Sequence, residues 1–178
     1  LFRGDGQDLV GPTGTGKEIR KFFPEQDPIE IHLADPAHVQ YDGELPLYDY
    51  QRPAVDAMKE QSCGILQAPC GSGKTQMGIA LAAELSGKTL WVTHTQDLLN
   101  QSYERAAQYF PKNTLGKITA GKVMIGSHMT FATAQTLCKL DLSRYEYVWD
   151  TVIVDECHRL AGTPTQVTMF YKILNSLA

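Results

Sequence analysis

The fold is decided by one stretch of the sequence, Gly64-Ile-Leu-Gln-Ala-Pro-Cys-Gly-Ser-Gly-Lys-Thr-Gln-Met-Gly-Ile-Ala-Leu-Ala-Ala-Glu-Leu85. Its first five residues form a short, mainly apolar run, which predicts a buried strand over Gly64–Ala68. Residues 75–86 have helical composition, so the glycine-rich turn between the two segments opens a helix. Consecutive backbone N–H groups in such a turn point at one spot and bind anions there. The stretch therefore predicts a phosphate site in an α/β fold.

The side chains of this turn match the requirements of a nucleoside triphosphate. We expect Lys74 to reach the β- and γ-phosphates and the Thr75 hydroxyl to hold Mg²⁺. The backbone of the turn would surround the phosphates with Pro69, Cys70, Gly71, Ser72 and Gly73. A second stretch, Gly11–Lys17, has similar glycine and lysine spacing, but Glu18 stands where the metal-binding hydroxyl is needed. We interpret Gly11–Lys17 as a surface glycine loop.

A second motif, which is acidic, follows an apolar segment near the end of the chain. Thr151-Val-Ile-Val-Asp155 predicts a strand that delivers Asp155 and Glu156 to the carboxyl edge of a parallel sheet, where ligands of such folds bind. Asp155 is expected to hold Mg²⁺ through water, because this ion keeps much of its hydration shell. Glu156 is expected to orient or deprotonate the attacking water. His158 suits coupling of the nucleotide state to neighbouring segments.

Segments that alternate between strand and helix fill most of the chain. Short apolar or β-branched runs predict buried strands at Thr89–His94 and Met129–Thr133, with a smaller strand at Val123–Ile125. Helical composition marks about 50–61, 97–110 and 134–140. This order predicts an α/β domain with a mainly parallel central sheet flanked by helices. Residues 1–45 are rich in Gly, Pro and Asp and predict an irregular lead-in, so the domain is placed at 46–178.

Composition excludes several classes of protein. The chain has 178 residues, 43% of them hydrophobic, with no apolar run of the length that a membrane span needs. Its four cysteines form no Cys-x-x-Cys pair, which favours a reduced cytoplasmic compartment and partly buried free thiols. The net charge of −4 argues against coating nucleic acid by bulk charge. Nevertheless, the segment from Arg105 to Leu140 holds five cations and no carboxylate, which fits a local phosphate-backbone site.

Together, the phosphate loop and Asp155-Glu-Cys-His158 resemble the nucleotide motifs of superfamily-two helicases of the DECH (DEAD/DEAH-like) lineage. The greatest similarity is to type III restriction-like and prophage-type DNA helicases. The resemblance implies a three-layer RecA-like lobe that binds ATP and Mg²⁺, with Glu156, Lys74 and Asp155 as catalytic residues. It also implies adenine recognition by Gln51, whose amide can both donate and accept. Two further segments resemble those that touch the nucleic-acid backbone, through Thr93, His94, Thr95, Thr133 and Gln135.

Nothing after His158 resembles the Ser/Thr-Ala-Thr motif of that family, or its second lobe with arginine fingers. We therefore expect the first lobe of a longer ATP hydrolase or helicase, with little or no activity by itself. Its expected partners are nucleic acid, by family likeness DNA, and the second lobe, with no membrane. Two alternatives remain open at this point: a nucleotide- and DNA-binding module without catalysis, and another phosphate-loop ATPase such as a packaging motor.

Overall fold

The computed structural model describes residues 3–4, 9–10, 45–85, 87–145, 148–157 and 169–177. The helices are α1 (Arg52–Lys59), α2 (Lys74–Leu85), α3 (Gln96–Ala106), α4 (Ala134–Leu137) and α5 (Met169–Leu177). The strands are β1 (Arg3–Gly4), β2 (Leu9–Val10), β3 (Thr89–Thr93), β4 (Leu115–Thr119), β5 (Lys122–Val123), β6 (Met129–Thr133) and β7 (Thr151–Val154). Two short 3-10 turns occupy Lys112–Thr114 and Leu142–Tyr145.

The central sheet has the strand order β5-β4-β6-β3-β7. The pairs β4–β6, β6–β3 and β3–β7 are parallel, and only the edge strand β5 is antiparallel. Thr93 is in register with Thr133 on β6, and Val92 is in register with Val154 on β7. Because these strands are parallel and aligned, the segments that come after them emerge at one edge of the sheet. The predicted α/β class with a mainly parallel sheet is confirmed.

Helices cover both faces of this sheet. Trp91 and Phe131 point to one face, where they pack with residues of α2 and α3, including Ile79 and Leu99. Leu90, Val92 and Ala132 point to the other face and pack with residues of α4 and α5, including Leu137 and Ile173. All five residues of β3 are buried, as expected for a strand with helices on both sides. The result is a three-layer lobe.

Helix α1 is fixed against α2, the helix that carries the phosphate loop. Val55 of α1 packs with Met77 and Ala80 of α2. On the surface, Glu84 accepts from Arg52 at 2.6 Å and from Lys59 at 2.7 Å. Burial acts to raise the pKa of Glu84, but its bonds to Lys59 and Arg52 outweigh burial and lower it. The segment before the phosphate loop is thus held in a defined position relative to the loop.

Four predictions about local structure need correction. Gly64–Ala68 is not a strand: it pairs with no described segment, and Ile65 is 79% exposed. The sheet contains β4, which the sequence pattern does not predict, and α4 ends at Leu137 instead of about residue 140. The thiols are free as expected, but only one of the four is partly buried as we predicted. Cys157 is half-buried, whereas the remaining three are exposed: Cys63, Cys70 and Cys138.

The lead-in contributes one described feature, the two-residue antiparallel pair of β1 and β2. The Gly11–Lys17 loop and His158 lie outside the described residues. None of the described helices is long and apolar enough to cross a lipid bilayer. Within the same residues, no group of three or more His, Cys, Asp or Glu side chains is arranged to hold a metal by itself.

Candidate nucleotide site

The phosphate loop has the backbone geometry of an anion cradle. Gly71 and Gly73 both adopt φ of +78°, a left-handed conformation that other residues rarely adopt. Between them, the Ser72 N–H donates to the carbonyl of Pro69 at 3.3 Å, which closes the turn. Helix α2 starts at Lys74, and the Met77 N–H donates to the carbonyl of Gly73 at 3.0 Å. The first turn of a 12-residue helix therefore opens directly from the glycine turn.

Side chains inside the loop are compatible with a bound phosphate group. The Lys74 ammonium lies within the loop, where Nζ donates to the carbonyls of Ala68 at 3.0 Å and Pro69 at 3.1 Å. The Ser72 hydroxyl is buried and has no hydrogen-bond partner among the described residues. An ammonium and an unsatisfied hydroxyl at a helix N-terminus suit the oxygens of a polyphosphate. The residues present therefore fit the triphosphate that the motif implies.

Gln51 holds the loop from behind. Its side chain is only 2% exposed, and Nε2 donates to the carbonyl of Ser72 at 2.8 Å. Its Oε1 accepts from the Tyr48 N–H at 2.9 Å. A Cβ placed on Gly73 would overlap Nε2, so this glycine is required by the close approach as well as by its φ. In this conformation the Gln51 amide is bonded to its own chain, and its predicted contact with adenine stays a prediction.

Asp155 and Glu156 follow β7 at the carboxyl edge of the parallel sheet. The Asp155 N–H donates to the carbonyl of Val92 at 2.9 Å, which fixes this residue against β3. Burial raises the pKa of the Asp155 carboxyl and the charge of Glu156 raises it further, whereas the Glu156 N–H and the charge of Lys74 oppose the increase. Glu156 is exposed and has φ of +59°, an uncommon value for a residue with a side chain. Backbone strain of this kind concentrates at functional sites.

The two predicted metal ligands line one cleft. Thr75 at the start of α2 and Asp155 at the end of β7 form part of an open cleft of about 320 Å³. The electrostatic effect of Lys74 on Asp155 places the lysine in the same neighbourhood. The rest of the lining comes from α3 and the turn after it, through Leu98, Gln101, Ser102, Glu104, Arg105 and Gln108. A hydroxyl and a carboxylate in one cleft are oxygen ligands of the kind that Mg²⁺ prefers.

The predicted nucleic-acid residues are divided between structural and exposed positions. Thr93 and Thr133 are buried: the Thr93 hydroxyl donates to the carbonyl of Thr95 at 3.1 Å, and the Thr133 hydroxyl accepts from the Thr136 N–H at 3.3 Å. Thr95 is exposed and caps α3 by accepting from the Leu98 N–H at 3.3 Å. Gln135 is exposed on α4. Because Thr93 and Thr133 are neighbours in register, both segments lie at one edge.

His94, which lies between Thr93 and Thr95 in the sequence, is half-buried. It packs on Phe170 of α5 with 6.5 Å between ring centroids, and its Nδ1 has no hydrogen-bond partner among the described residues. Sequence reasoning missed the α3 wall of the cleft, in particular Gln101 and Arg105. Their spacing of four residues indicates a shared helix face, but spacing alone does not tell which face meets the cleft. The sequence groups Arg105 with the cations of a nucleic-acid surface, whereas in the structure it lines the cleft with Thr75 and Asp155.

Comparison with known proteins identifies the family. Residues 44–178 match the family described as "Type III restriction enzyme, res subunit". A "Putative DNA 3'-5' helicase Rad25" of Halobacterium salinarum is 28% identical over 145 residues, covering 78% of this chain and 23% of the relative. The "DNA 3'-5' translocase XPB2" of Sulfurisphaera tokodaii is 34% identical over 96 residues, covering 52% of this chain and 22% of the relative. The chain thus spans under a quarter of the length of these two relatives.

The fold has a counterpart among solved structures. The UvsW helicase from bacteriophage T4 superposes with a TM-score of 0.61 at 20% identity, covering 97% of this chain and 70% of that chain. At this level of identity the likeness concerns the fold, and it agrees with the helicase-type lobe that the two nucleotide motifs imply. Because the family match extends over well over half of the sequence, the chain belongs to the type III restriction enzyme res subunit family.

Proposed function

We propose that this chain is the ATP-binding motor lobe of a DNA helicase or translocase. One observation carries the proposal: Thr75 and Asp155, 80 positions apart in the sequence, line the same cleft, with Lys74 close enough to influence the Asp155 carboxyl. A structural glycine turn and an unrelated acidic turn have no reason to meet in this way. The res subunit family to which the chain belongs supports the same conclusion.

Each residue of the site has a defined task in ATP hydrolysis. The backbone of Gly71, Ser72 and Gly73 and the Lys74 ammonium bind the phosphates. Thr75 and Asp155 would hold Mg²⁺, which neutralises charge on the β- and γ-phosphates when it is bound. Glu156, which directly follows Asp155 and is exposed, would accept a proton from the attacking water. Catalysis of phosphoryl transfer is mainly positioning and charge stabilisation, which this set of groups can supply.

DNA and a second lobe are the partners that complete this function. The names of the two relatives support DNA, and the exposed Thr95 and Gln135 offer polar groups to a phosphate backbone without reading bases. A motor lobe of under a quarter of its relatives' length requires further domains to unwind or translocate. The free thiols support a reduced, cytoplasmic compartment.

The test is a steady-state ATPase assay on the full-length polypeptide that contains this lobe, with and without DNA. Glu156→Gln should lower kcat roughly 10²–10⁴-fold while leaving ATP binding nearly intact, because a general base acts in the chemical step. Glu60→Gln is the matched control, since Glu60 is an exposed carboxylate at the end of α1. A wild type that binds ATP but does not hydrolyse it, with or without DNA, would favour the alternative of a nucleotide- and DNA-binding module without catalysis, whereas equal and measurable rates for Glu156→Gln and the wild type would overturn the role of Glu156.

A further inference from the structure

One wall of the cleft is formed by α3, which the proposed function leaves without a role. Four of the residues that line the cleft from α3 recur at helical spacing: Leu98, Gln101, Ser102 and Arg105. They form one continuous helix face that lines the cleft together with Thr75 and Asp155. A volume of about 320 Å³ is at the lower end of the range for small-ligand sites, so groups on both walls can reach one occupant.

The neighbouring face of α3 is fixed in the core. Leu99 and Ala106 are fully buried, and Tyr103 packs edge-on against Phe131 of β6 with 5.5 Å between ring centroids. Lys117 of β4 covers the Tyr103 ring at 3.9 Å and donates to Asn100 at 3.1 Å. Because the helix is held at several points along its length, its cleft face and its N-terminus keep a fixed position relative to each other. An occupant that binds the cleft face would therefore also stabilise the position of the N-terminus.

That N-terminus is the segment to which a nucleic-acid contact is assigned. Thr95 is exposed and is bonded to the first turn of α3. The hydroxyl of Thr93, two residues earlier, donates to the Thr95 carbonyl, and Thr93 is in register with Thr133 on β6. One rigid helix therefore connects the cleft to the exposed polar groups at the edge of the sheet.

Two side chains on the cleft face of α3 have unused hydrogen-bonding groups. In the described part of the chain, the Arg105 guanidinium makes no ion pair or hydrogen bond, and the Gln101 side-chain amide makes no hydrogen bond either. Asn100, the neighbour of Gln101, is by contrast bonded to both Gln96 and Lys117. A guanidinium is suited to bind phosphate oxygens with two parallel hydrogen bonds. Arg105 lines the same cleft as Thr75 and Asp155, where the most highly charged end of the nucleotide would bind.

We propose that Arg105, assisted by Gln101, positions the γ-phosphate end of bound ATP and thereby couples nucleotide occupancy to the nucleic-acid segment at Thr95. The proposal rests on the proposed function, because it takes the cleft to be the site of ATP and Mg²⁺. Arg105 acts as a positioning residue: it orients the γ-phosphate, whereas Glu156 handles the proton. ADP lacks the group that Arg105 contacts, so the two nucleotides should place different demands on α3.

The first experiment measures equilibrium binding of fluorescent ATP and ADP analogues to the chain in the presence of Mg²⁺. Arg105→Ala should weaken ATP binding about five- to tenfold and leave ADP binding within about twofold of the wild type, as expected for one charge-assisted contact to the γ-phosphate. Arg105→Lys should recover part of the loss. Arg144→Ala is the matched control, because it removes the same charged group from an exposed position outside the cleft.

The second measurement tests the coupling through α3. The affinity for a fluorescein-labelled single-stranded oligodeoxynucleotide is compared with and without the ATP analogue. The wild type should show a difference between the two states, and Arg105→Ala should reduce it to within about twofold. Equal weakening of ATP and ADP by Arg105→Ala, or no weakening of either, would overturn the proposal. So would a full coupling effect in the variant.

Lys74→Ala separates failure of this proposal from failure of the proposed function. Loss of nucleotide binding in Lys74→Ala together with an unaffected Arg105→Ala would overturn only the role of Arg105. Unaltered nucleotide binding in Lys74→Ala would instead overturn the nucleotide site itself. Thermal unfolding of each variant, which should match the wild type at these partly or fully exposed positions, confirms that a loss of binding does not come from a loss of folding.

Discussion

The two left-handed glycines of the phosphate loop provide a matched pair for testing how the loop is held. Gly71 and Gly73 have the same φ of +78°, so alanine imposes a similar conformational cost at each. For a residue with a side chain, this cost is about 1–2 kcal/mol. Their surroundings differ: an added Cβ meets nothing within 4 Å at Gly71, whereas it overlaps Nε2 of Gln51 at Gly73.

The additional cost at Gly73 comes from the bonds of Gln51. Its amide is buried, donates to Ser72 at 2.8 Å and accepts from Tyr48 at 2.9 Å, so it cannot move aside without breaking these bonds. Each hydrogen bond contributes about 1 kcal/mol net. Gly71→Ala should therefore lower the free energy of unfolding by about 1–2 kcal/mol and Gly73→Ala by about 3–4 kcal/mol. The measurement is urea unfolding monitored by tryptophan fluorescence.

A double-mutant cycle isolates the contact. In a Gln51→Ala background the overlap disappears, so Gly73→Ala should then cost only about 1–2 kcal/mol, the value expected for Gly71→Ala. Two single variants that agree within about 0.5 kcal/mol, a margin that surface effects alone can reach, would refute the reasoning. A penalty for Gly73→Ala that is unchanged in the Gln51→Ala background would refute it as well.

Three further variants test the packing and electrostatics around the site. His128 is fully buried, and burial lowers its pKa from the ordinary 6.5. Below about pH 6.5 the unfolded chain therefore binds a proton at this residue that the folded chain does not bind, so the free energy of unfolding should fall as the pH drops below about 6.5. His128→Leu should flatten this part of the pH profile. Gly78→Ala should lower stability by about 1–3 kcal/mol, despite a helix-propensity gain of about 1 kcal/mol, because its Cβ would lie 2.7 Å from the Trp91 ring. Glu84→Gln should cost about 1 kcal/mol at low salt, and much less in about 1 M NaCl, because its two ion pairs lie on the surface.

Each of these variants has an outcome that contradicts its rationale. No described side chain exerts a charge effect on His128, and neither ring nitrogen has a well-placed partner, although the Ala82 backbone slightly favours the charged form. A pH profile that is unaltered in His128→Leu would therefore assign the acid sensitivity to other groups. A more stable Gly78→Ala would show that the Trp91 ring moves aside freely. A salt-independent loss in Glu84→Gln would point to packing instead of charge.

The strands with helices on both faces were predictable, whereas the rest of the sheet depended on tertiary contacts. The run Thr89-Leu-Trp-Val-Thr93 is apolar or β-branched throughout, and the structure buries all of it. Gly64–Ala68 has a similar composition, but a strand also needs a neighbour, and no described segment pairs with it. Composition gives no information about whether such a partner is present. Residues 64–68 therefore have the composition of a strand, but composition alone does not form one without a neighbouring strand to pair with.

Strand β4 was missed because its sequence, Leu115-Gly-Lys-Ile-Thr119, contains a glycine and a lysine. The glycine is needed, since a Cβ on Gly116 would collide with the backbone of Met124 and Gly126 in the neighbouring turn. The lysine is accommodated because Lys117 lies over the Tyr103 ring and is bonded to Asn100. Both residues contradict the usual strand pattern for reasons that exist only once α3 and the turn after β5 are in place.

The candidate site also combines features that the local sequence predicts with features that depend on tertiary packing. The spacing of Lys74 and Thr75 in one motif and of Asp155 and Glu156 in the other is local, because each motif is a short stretch of consecutive residues at the end of an apolar segment. Asp155 lies at the cleft because β7 is parallel to β3 and ends at the carboxyl edge of the sheet, whereas Thr75, whose loop follows no described strand, is positioned by the packing of α2 on the sheet. The contribution of Arg105 depends on the rotation of α3 about its axis, and the residues that set it are the buried Leu99 and Ala106. No local pattern gives that angle.

Gln51 shows how one residue can satisfy a motif and yet act by another route. An amide next to a phosphate loop suggests recognition of adenine, because it donates and accepts at once. In the structure the amide uses one of its two N–H groups on Ser72 and one of its two acceptor positions on Tyr48. The remaining N–H and lone pair are buried with the side chain, which is only 2% exposed, so a base could reach them only if the amide moved, and the Ser72 bond that would then break also shapes the glycine turn. If Gln51 selects the nucleotide, that selection is linked to the shape of the phosphate loop, so that Gln51→Ala should weaken ATP and GTP together if the Ser72 bond dominates, and ATP alone if adenine recognition does.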